Sequence, residues 1–203
     1  MEGLLRNRRA RVILAVVVLA AAGIAAALLV GSKGPAKFVA TRPGQPATSV
    51  AFSPSGTLLA GGDVNGHIYL WNIATGRQVA NLATAGKSVS SMRFSPDGAT
   101  LAAGDVDGST YLWDVKTRKI TATLTQPDGF GVGATAFSPN GGELAAGDWI
   151  GQNTYVWNTV TGQPADTLAG PGIYGIDDVA FSPDGKSVAL ASGNGTVYLW
   201  RLP

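Results

Sequence analysis

Three features of the chain predict an all-β fold of four four-stranded units behind one N-terminal transmembrane helix. A landmark of Phe-Ser-Pro recurs four times, a Tyr-x-Trp landmark follows each copy at fixed distance, and a single charge-free apolar run precedes them all. After Ser32 no stretch shows helical periodicity, whereas short apolar runs bounded by Gly, Pro, Asn and Asp recur throughout.

The apolar run comes first in the chain. Residues 12–30, VILAVVVLAAAGIAAALLV, carry no charge and no side-chain amide. As a helix they span roughly 28 Å, about one hydrocarbon core. Arg6, Arg8, Arg9 and Arg11 crowd one flank, while Lys33 and Lys37 thin out on the other. That asymmetry places the N-terminus in the cytoplasm and everything after Ser32 outside. A cleaved signal peptide is the rival reading, but its apolar core is usually shorter and ends at a small-residue cleavage site. The expected organisation is a basic cytoplasmic tail at 1–11, a single-pass helix at 12–30, a short linker at 31–35 and the repeats at 36–203, in a cell membrane.

Charge follows the same division. The sequence pI is about 9.0, yet residues 1–37 hold six Lys or Arg against Glu2, and residues 38–203 hold nine against twelve Asp or Glu. The repeats are therefore slightly acidic, and the basic tail reads as a topology signal and lipid-headgroup contact, with no nucleic acid implied. With no cysteine in the chain, disulfides, thiol catalysis and cysteine zinc sites are excluded.

The repeat has a period of about 43. Phe52, Phe94, Phe137 and Phe181 lie 42, 43 and 44 residues apart, and Trp71, Trp113, Trp157 and Trp200 each follow their Phe by 19 or 20 residues. Within each copy, a run such as SVAF predicts a strand, and Ser-Pro-Asp-Gly a tight turn in which Pro presets φ and Gly accepts positive φ. TLLAGG predicts the second strand, closed by DVNG or DVDG hairpin turns. HIYLWN predicts a third strand buried on both faces, because its apolar residues run in succession. RQVANL, KITATL and QPADTL predict an irregular fourth strand. Four short antiparallel strands that cannot bury both faces alone make one blade of a β-propeller.

The FSPDG turn, the strand ending YLWDV and the period together resemble the WD-repeat family of β-propellers, over residues 36–203. The phrasing LAAGD and GSTYLWDV is similar to bacterial WD-repeat proteins anchored in membranes. Asp63, Asp105 and Asp148 stand near the family's aspartate position, with Ser192 in the fourth copy. The family's Gly-His before the first strand is missing in every copy, so the hydrogen-bond network from that His to the Trp does not carry over. In the family the N-terminal segment commonly supplies the missing outer strand of the last blade. The last copy stops at YLWRLP after its third strand, and residues 36–42, AKFVATR, align with the outer strand of a preceding blade. They are the expected closing strand.

Two closed solutions follow: a four-bladed monomer, which is the expectation, and a homodimer forming an eight-bladed ring. The function expected is a noncatalytic protein-binding scaffold or sensor with an unidentified protein partner and no cofactor. An extracytoplasmic propeller hydrolase or lyase, and a sensor beside a membrane Ser/Thr kinase, are the alternatives. No metal site is expected: DVDG at residues 105–108 lacks the third oxygen position and closing Glu of a calcium loop. His67 is the only histidine, and Ser53, Ser95, Ser138 and Ser182 recur without one beside them, so no triad can be built. The family's loop face offers the binding candidates: Phe130, Tyr174, Asp107, Asn65, and Trp149 with Ile150 in GDWIGQN, one residue longer than GDVDGS. Trp149 is either a binding residue or a lid over the inserted residue.

Overall fold

The computed structural model describes residues 46–83, 87–170 and 174–203. The expected cytoplasmic tail, transmembrane helix, linker and closing strand at 36–42 lie outside the described residues. Among those described, no helix is long and apolar enough to cross a membrane.

Among the described residues, fifteen strands form four antiparallel sheets in sequential order. Blade 1 comprises β1 (Ala47–Phe52), β2 (Leu58–Asp63), β3 (His67–Asn72) and β4 (Gln78–Ala83). Blade 2 comprises β5 (Val89–Phe94), β6 (Thr100–Asp105), β7 (Ser109–Asp114) and β8 (Lys119–Thr125). Blade 3 comprises β9 (Val132–Phe137), β10 (Glu143–Asp148), β11 (Asn153–Asn158) and β12 (Pro164–Ala169). Among the described residues blade 4 comprises β13 (Ile176–Phe181), β14 (Ser187–Ser192) and β15 (Thr196–Arg201). The first strands pack in the order β1, β5, β9, β13 and so form the inner edge.

The recurring serine and aspartate of the first turn have local work. In blade 2 the Ser95 hydroxyl donates to Asp97 at 2.5 Å, and Asp97 accepts the Ala99 amide at 2.9 Å. Ser95 in turn accepts the Thr100 amide at 2.9 Å. Gly98 closes the turn at φ 72°, a conformation that costs glycine little. Ser53, Ser138 and Ser182 make the same bond to the strand that follows, which assigns these serines to turn architecture.

Side chains alternate across each strand, so every blade has two packing faces. Toward the next blade it offers aliphatic residues, and toward the preceding one it offers aromatics. Between blades 1 and 2, Ala60, Ile68 and Leu70 meet Met92, Phe94, Tyr111 and Trp113. Between blades 2 and 3, Ala102, Leu112 and Leu124 meet Leu144, Tyr155 and Trp157. Between blades 3 and 4, Ala145, Val156 and Leu168 meet Val179, Val188, Tyr198 and Trp200. The indole N–H groups of Trp113, Trp157 and Trp200 find no acceptor; these rings act as apolar plates, in keeping with the missing Gly-His.

A glycine near the end of the second strand sets how closely neighbouring blades approach. A Cβ on Gly62 would lie 2.7 Å from Val89 Cγ1, one on Gly104 2.5 Å from Val132 Cγ1, and one on Gly147 2.6 Å from Ile176 Cγ2. The first residue of each blade thus fills the space a side chain would need in the blade before. Gly104→Ala is expected to destabilise the fold by about 1–3 kcal/mol through overpacking, read as a lower urea midpoint. Adding Val132→Ala should recover part of that loss, because the two positions share one space.

At the ends of the row Val50 and Phe52 of β1 are 63% and 66% exposed, and Val197 and Leu199 of β15 are 73% and 69% exposed, whereas Tyr69 and Trp71, on the same side of blade 1 as Val50 and Phe52, are buried. The equivalent positions at the inner seams pack against the neighbouring blade.

Candidate functional site

The site is built on the turns between second and third strands and the loops between blades, which backbone bonds fasten together on one face. Val64, Val106 and Trp149 amides donate to the carbonyls of Pro46, Ser88 and Gly131, at 3.3, 3.1 and 2.6 Å. In copies one and two an aspartate ends the second strand and folds the turn around its carboxylate. Asp63 accepts the amides of Asn65 and His67 at 2.8 and 3.0 Å. Asp105 accepts those of Asp107 and Ser109 at 3.0 and 2.9 Å. His67 lies with its Nδ1 3.4 Å from the same Asp63 carboxylate and stacks on Tyr69; it is part of the turn.

The third copy departs from this scheme because its turn is one residue longer. Asp148, fully buried, keeps only the Asn153 amide, at 3.0 Å on Oδ2, and its Oδ1 has no donor. Gly151 passes so close that a Cβ there would lie 2.3 Å from Asp148 Oδ2, which excludes any side chain at that position. Asp128, from the loop between blades 2 and 3, sits alongside. Its Oδ2 accepts the Tyr155 hydroxyl at 2.8 Å and the Asn153 amide group at 3.0 Å. Burial, helped by the neighbouring Asp128 carboxylate, pushes the Asp148 pKa up to about 7. Burial and the hydrogen bond to Asp128 push Tyr155 up to about 12. A carboxyl with too few donors favours its neutral form.

Next to buried Asp148 and half-buried Asp128, the loops carry an apolar patch. Phe130, Trp149, Ile150 and Tyr174 are 42%, 56%, 63% and 61% exposed. Three loops carry them, and the loops are tied: Trp149 N–H to the Gly131 carbonyl at 2.6 Å and Gly175 N–H to the Gly151 carbonyl at 2.9 Å. Trp149 does not fold down as a lid, since more than half its surface faces solvent. Asp107 borders the patch, because Gly108 packs against Gly129, next to Phe130. Its carboxylate pairs with Lys87 at 2.8 Å, both side chains about half exposed, which raises the Lys87 pKa through that bond. Asn65 belongs to the turn of blade 1, where its backbone amide donates to Asp63.

Sequence reasoning found the aromatics and missed the pair beneath them. Asp128 reads as a plain turn residue in QPDGF; only the extra residue in GDWIGQN signalled that Asp148 would lack donors. Among the described residues no group of three or more His, Asp or Glu stands close enough to hold a metal. A cleft of about 390 Å³ lies at the opposite end of the strands, between blades 3 and 4, bordered by Asn140, Glu143, Asn158, Asp166 and Pro203.

A family model described as WD domain, G-beta repeat matches residues 36–72, 76–114 and 162–201, together more than half of the chain. The matched segments omit residues 115–161, which include the lengthened turn of the third copy. No curated protein matches the chain.

Proposed function

Since the chain belongs to the WD-repeat family, whose propellers serve as protein-interaction scaffolds, we propose that it is a noncatalytic scaffold that binds a protein through the patch of Phe130, Trp149, Ile150 and Tyr174. The observation that carries this reading is four large apolar side chains left open to water on three mutually tied loops. Such patches on a rigid frame suit partner contact, and Trp and Tyr are frequent energetic centres of interfaces. Asp107 and Lys87 on the border add a polar rim.

The same reading places the scaffold at a membrane. Residues 12–30 anchor it, residues 1–11 lie in the cytoplasm and the blades lie outside, as the apolar length and flanking arginines support. Residues 36–42 add the outer strand that blade 4 lacks. In support, the family match begins at residue 36, about as far ahead of blade 1 as residues 76 and 162 stand ahead of blades 2 and 4.

The test is photocrosslinking from position 150 of the full chain in its own membranes. A single protein adduct is expected, lost with Trp149→Ala while the melting temperature stays within about 2 °C, as for an exposed side chain. An adduct that survives both Trp149→Ala and Phe130→Ala would remove the patch from the interface. Alkaline extraction of the same membranes should leave the chain in the pellet; its release would remove the anchor.

A further inference from the structure

Charge is divided between the two ends of the blades. The end that carries the candidate patch holds Asp63, Asp105, Asp107, Asp128, Asp148 and Asp177 in its turns, loops and strand ends, against Lys87. The opposite end is made of the turns between first and second strands and between third and fourth strands. There Arg77, Lys116, Arg118, Lys119, Lys186 and Arg201 are all exposed, and among the described residues none of them is in an ion pair. The acids of that end are Asp97, Asp114, Glu143 and Asp184. Three of them are folded into their own turns: Asp97 accepts the Ser95 hydroxyl, Asp114 the Thr117 amide and Asp184 the Ser182 hydroxyl. Six bases against four acids leave this end positive, and six acids against one lysine leave the other negative.

The bases concentrate at one place on the outer rim. Lys116, Arg118 and Lys119 lie in the turn between third and fourth strands of blade 2, and Arg77 in the matching turn of blade 1. Arg118 stands where blades 1 and 3 have Gly76 and Gly162. Those glycines have φ of 65° and 69°, and Arg118 holds the same left-handed backbone at φ 61°. A side chain with a Cβ is disfavoured in that conformation, and glycine is not. Blade 2 thus keeps a positive charge at a position where local stability favours glycine. Strain of this kind, held at a surface turn, points to a function for the side chain.

The chain geometry says which way this end faces. The outer strands β4, β8 and β12 start at the basic end and run toward the patch. Residues 36–42, in the outer-strand role proposed above, start there too. Residues 31–35 then span at most about 18 Å back to the apolar run at 12–30. We propose that the basic rim of Arg77, Lys116, Arg118 and Lys119 rests on anionic lipid headgroups, which turns the Trp149 patch away from the bilayer. Lysine and arginine close to an anionic surface are drawn to it over about 8–10 Å, and the short tether holds the rim near that range. The arginine fork also suits a phosphate. Val160, 89% exposed in the matching turn of blade 3, adds an apolar tip to the same rim. The acidic end is repelled from the same surface, so both ends favour one orientation.

The inference rests on the membrane reading given under the proposed function, and the test separates the two. The chain has no cysteine, so Thr117→Cys on the basic rim and Asn194→Cys in the turn between β14 and β15 each give one labelling point on the full chain. Each labelled chain is reconstituted into phosphatidylcholine vesicles that carry a headgroup quencher. The Thr117 label should be quenched at least about twofold more when about a third of the lipid is phosphatidylglycerol. High salt should abolish that difference, and the Asn194 label should show none. Arg118→Gly in the Thr117→Cys chain should lower the quenching while leaving the urea midpoint unchanged or raised, because glycine relieves the positive φ. Lys116→Gln with Lys119→Gln should lower the quenching as well. An anchored chain whose Thr117 label is quenched alike in neutral and anionic vesicles, or whose Asn194 label is the more quenched, overturns the inference and leaves the anchor standing. Release of the chain from the vesicles by alkali removes the anchor, and the inference falls with it.

Discussion

Leu112→Ala is expected to cost about 2–5 kcal/mol of stability, the loss found when a large buried aliphatic side chain is cut to a methyl. Leu112 sits in the middle of the third strand of blade 2, essentially inaccessible to solvent. It fills the seam with Ala102 and Leu124 on its own side and with Leu144, Tyr155 and Trp157 of blade 3 on the other. Two sheets held by paired ladders frame the space, so neither can move in to close the hole without disturbing strand pairing on both sides. Urea denaturation should show a lower midpoint. An unchanged midpoint would mean that the two blades unfold independently and that this seam carries little of the stability. Leu199→Ala, at the same repeat position but 69% exposed, should cost much less.

That pair of leucines also marks how far the sequence could be read. Strand order, turn positions and blade count followed from Phe52, Phe94, Phe137 and Phe181 and from the four tryptophans, because a repeat presents each local signal four times. HIYLWN could be recognised as buried on both faces, and in the structure its four central residues are. Whether the row closes on itself was not legible in the same way. YLW reads alike in blades 1, 2 and 4, yet Leu70 and Leu112 are covered and Leu199 is not. The difference lies in what stands beside the blade, and no residue within the repeat encodes it. At the candidate site the exposed aromatics were visible as misfits in loops of Gly, Pro and Asp. The Asp128, Asn153, Tyr155 and Asp148 cluster was not, since it joins residues 20 and more apart through a turn whose extra residue changes which amides point inward.

Asp148 should make the protein lose stability as the pH rises from about 4 to about 7. In the unfolded chain its carboxyl ionises near the ordinary value of 3.8, whereas burial holds it protonated in the fold until about 7. Between those limits the native state carries a proton that the unfolded state has released. Stability then falls with rising pH by up to about 1.4 kcal/mol per unit, and the loss is complete once the pH exceeds the folded pKa. Over the window the total is about 2–4 kcal/mol. Asp97, Asp114 and Asp184 act the other way and elsewhere. Hydroxyl and amide donors hold their pKa values low, so what they contribute is lost only as the pH falls below the usual carboxylate range. Urea midpoints at pH 4.5, 6 and 8 should therefore decline in order for the wild type. Asp148→Asn, which keeps the shape and cannot ionise, should flatten the series and exceed the wild type at pH 8. Asp128→Asn should move the window downward without abolishing it, because burial outweighs the neighbouring charge as the cause of the shift. A flat wild-type series would mean that water reaches Asp148. Trp149 follows Asp148 directly, so the charge that appears near pH 7 acts on the turn that presents the apolar patch. Partner binding at that patch should weaken over the same interval and become independent of pH in Asp148→Asn.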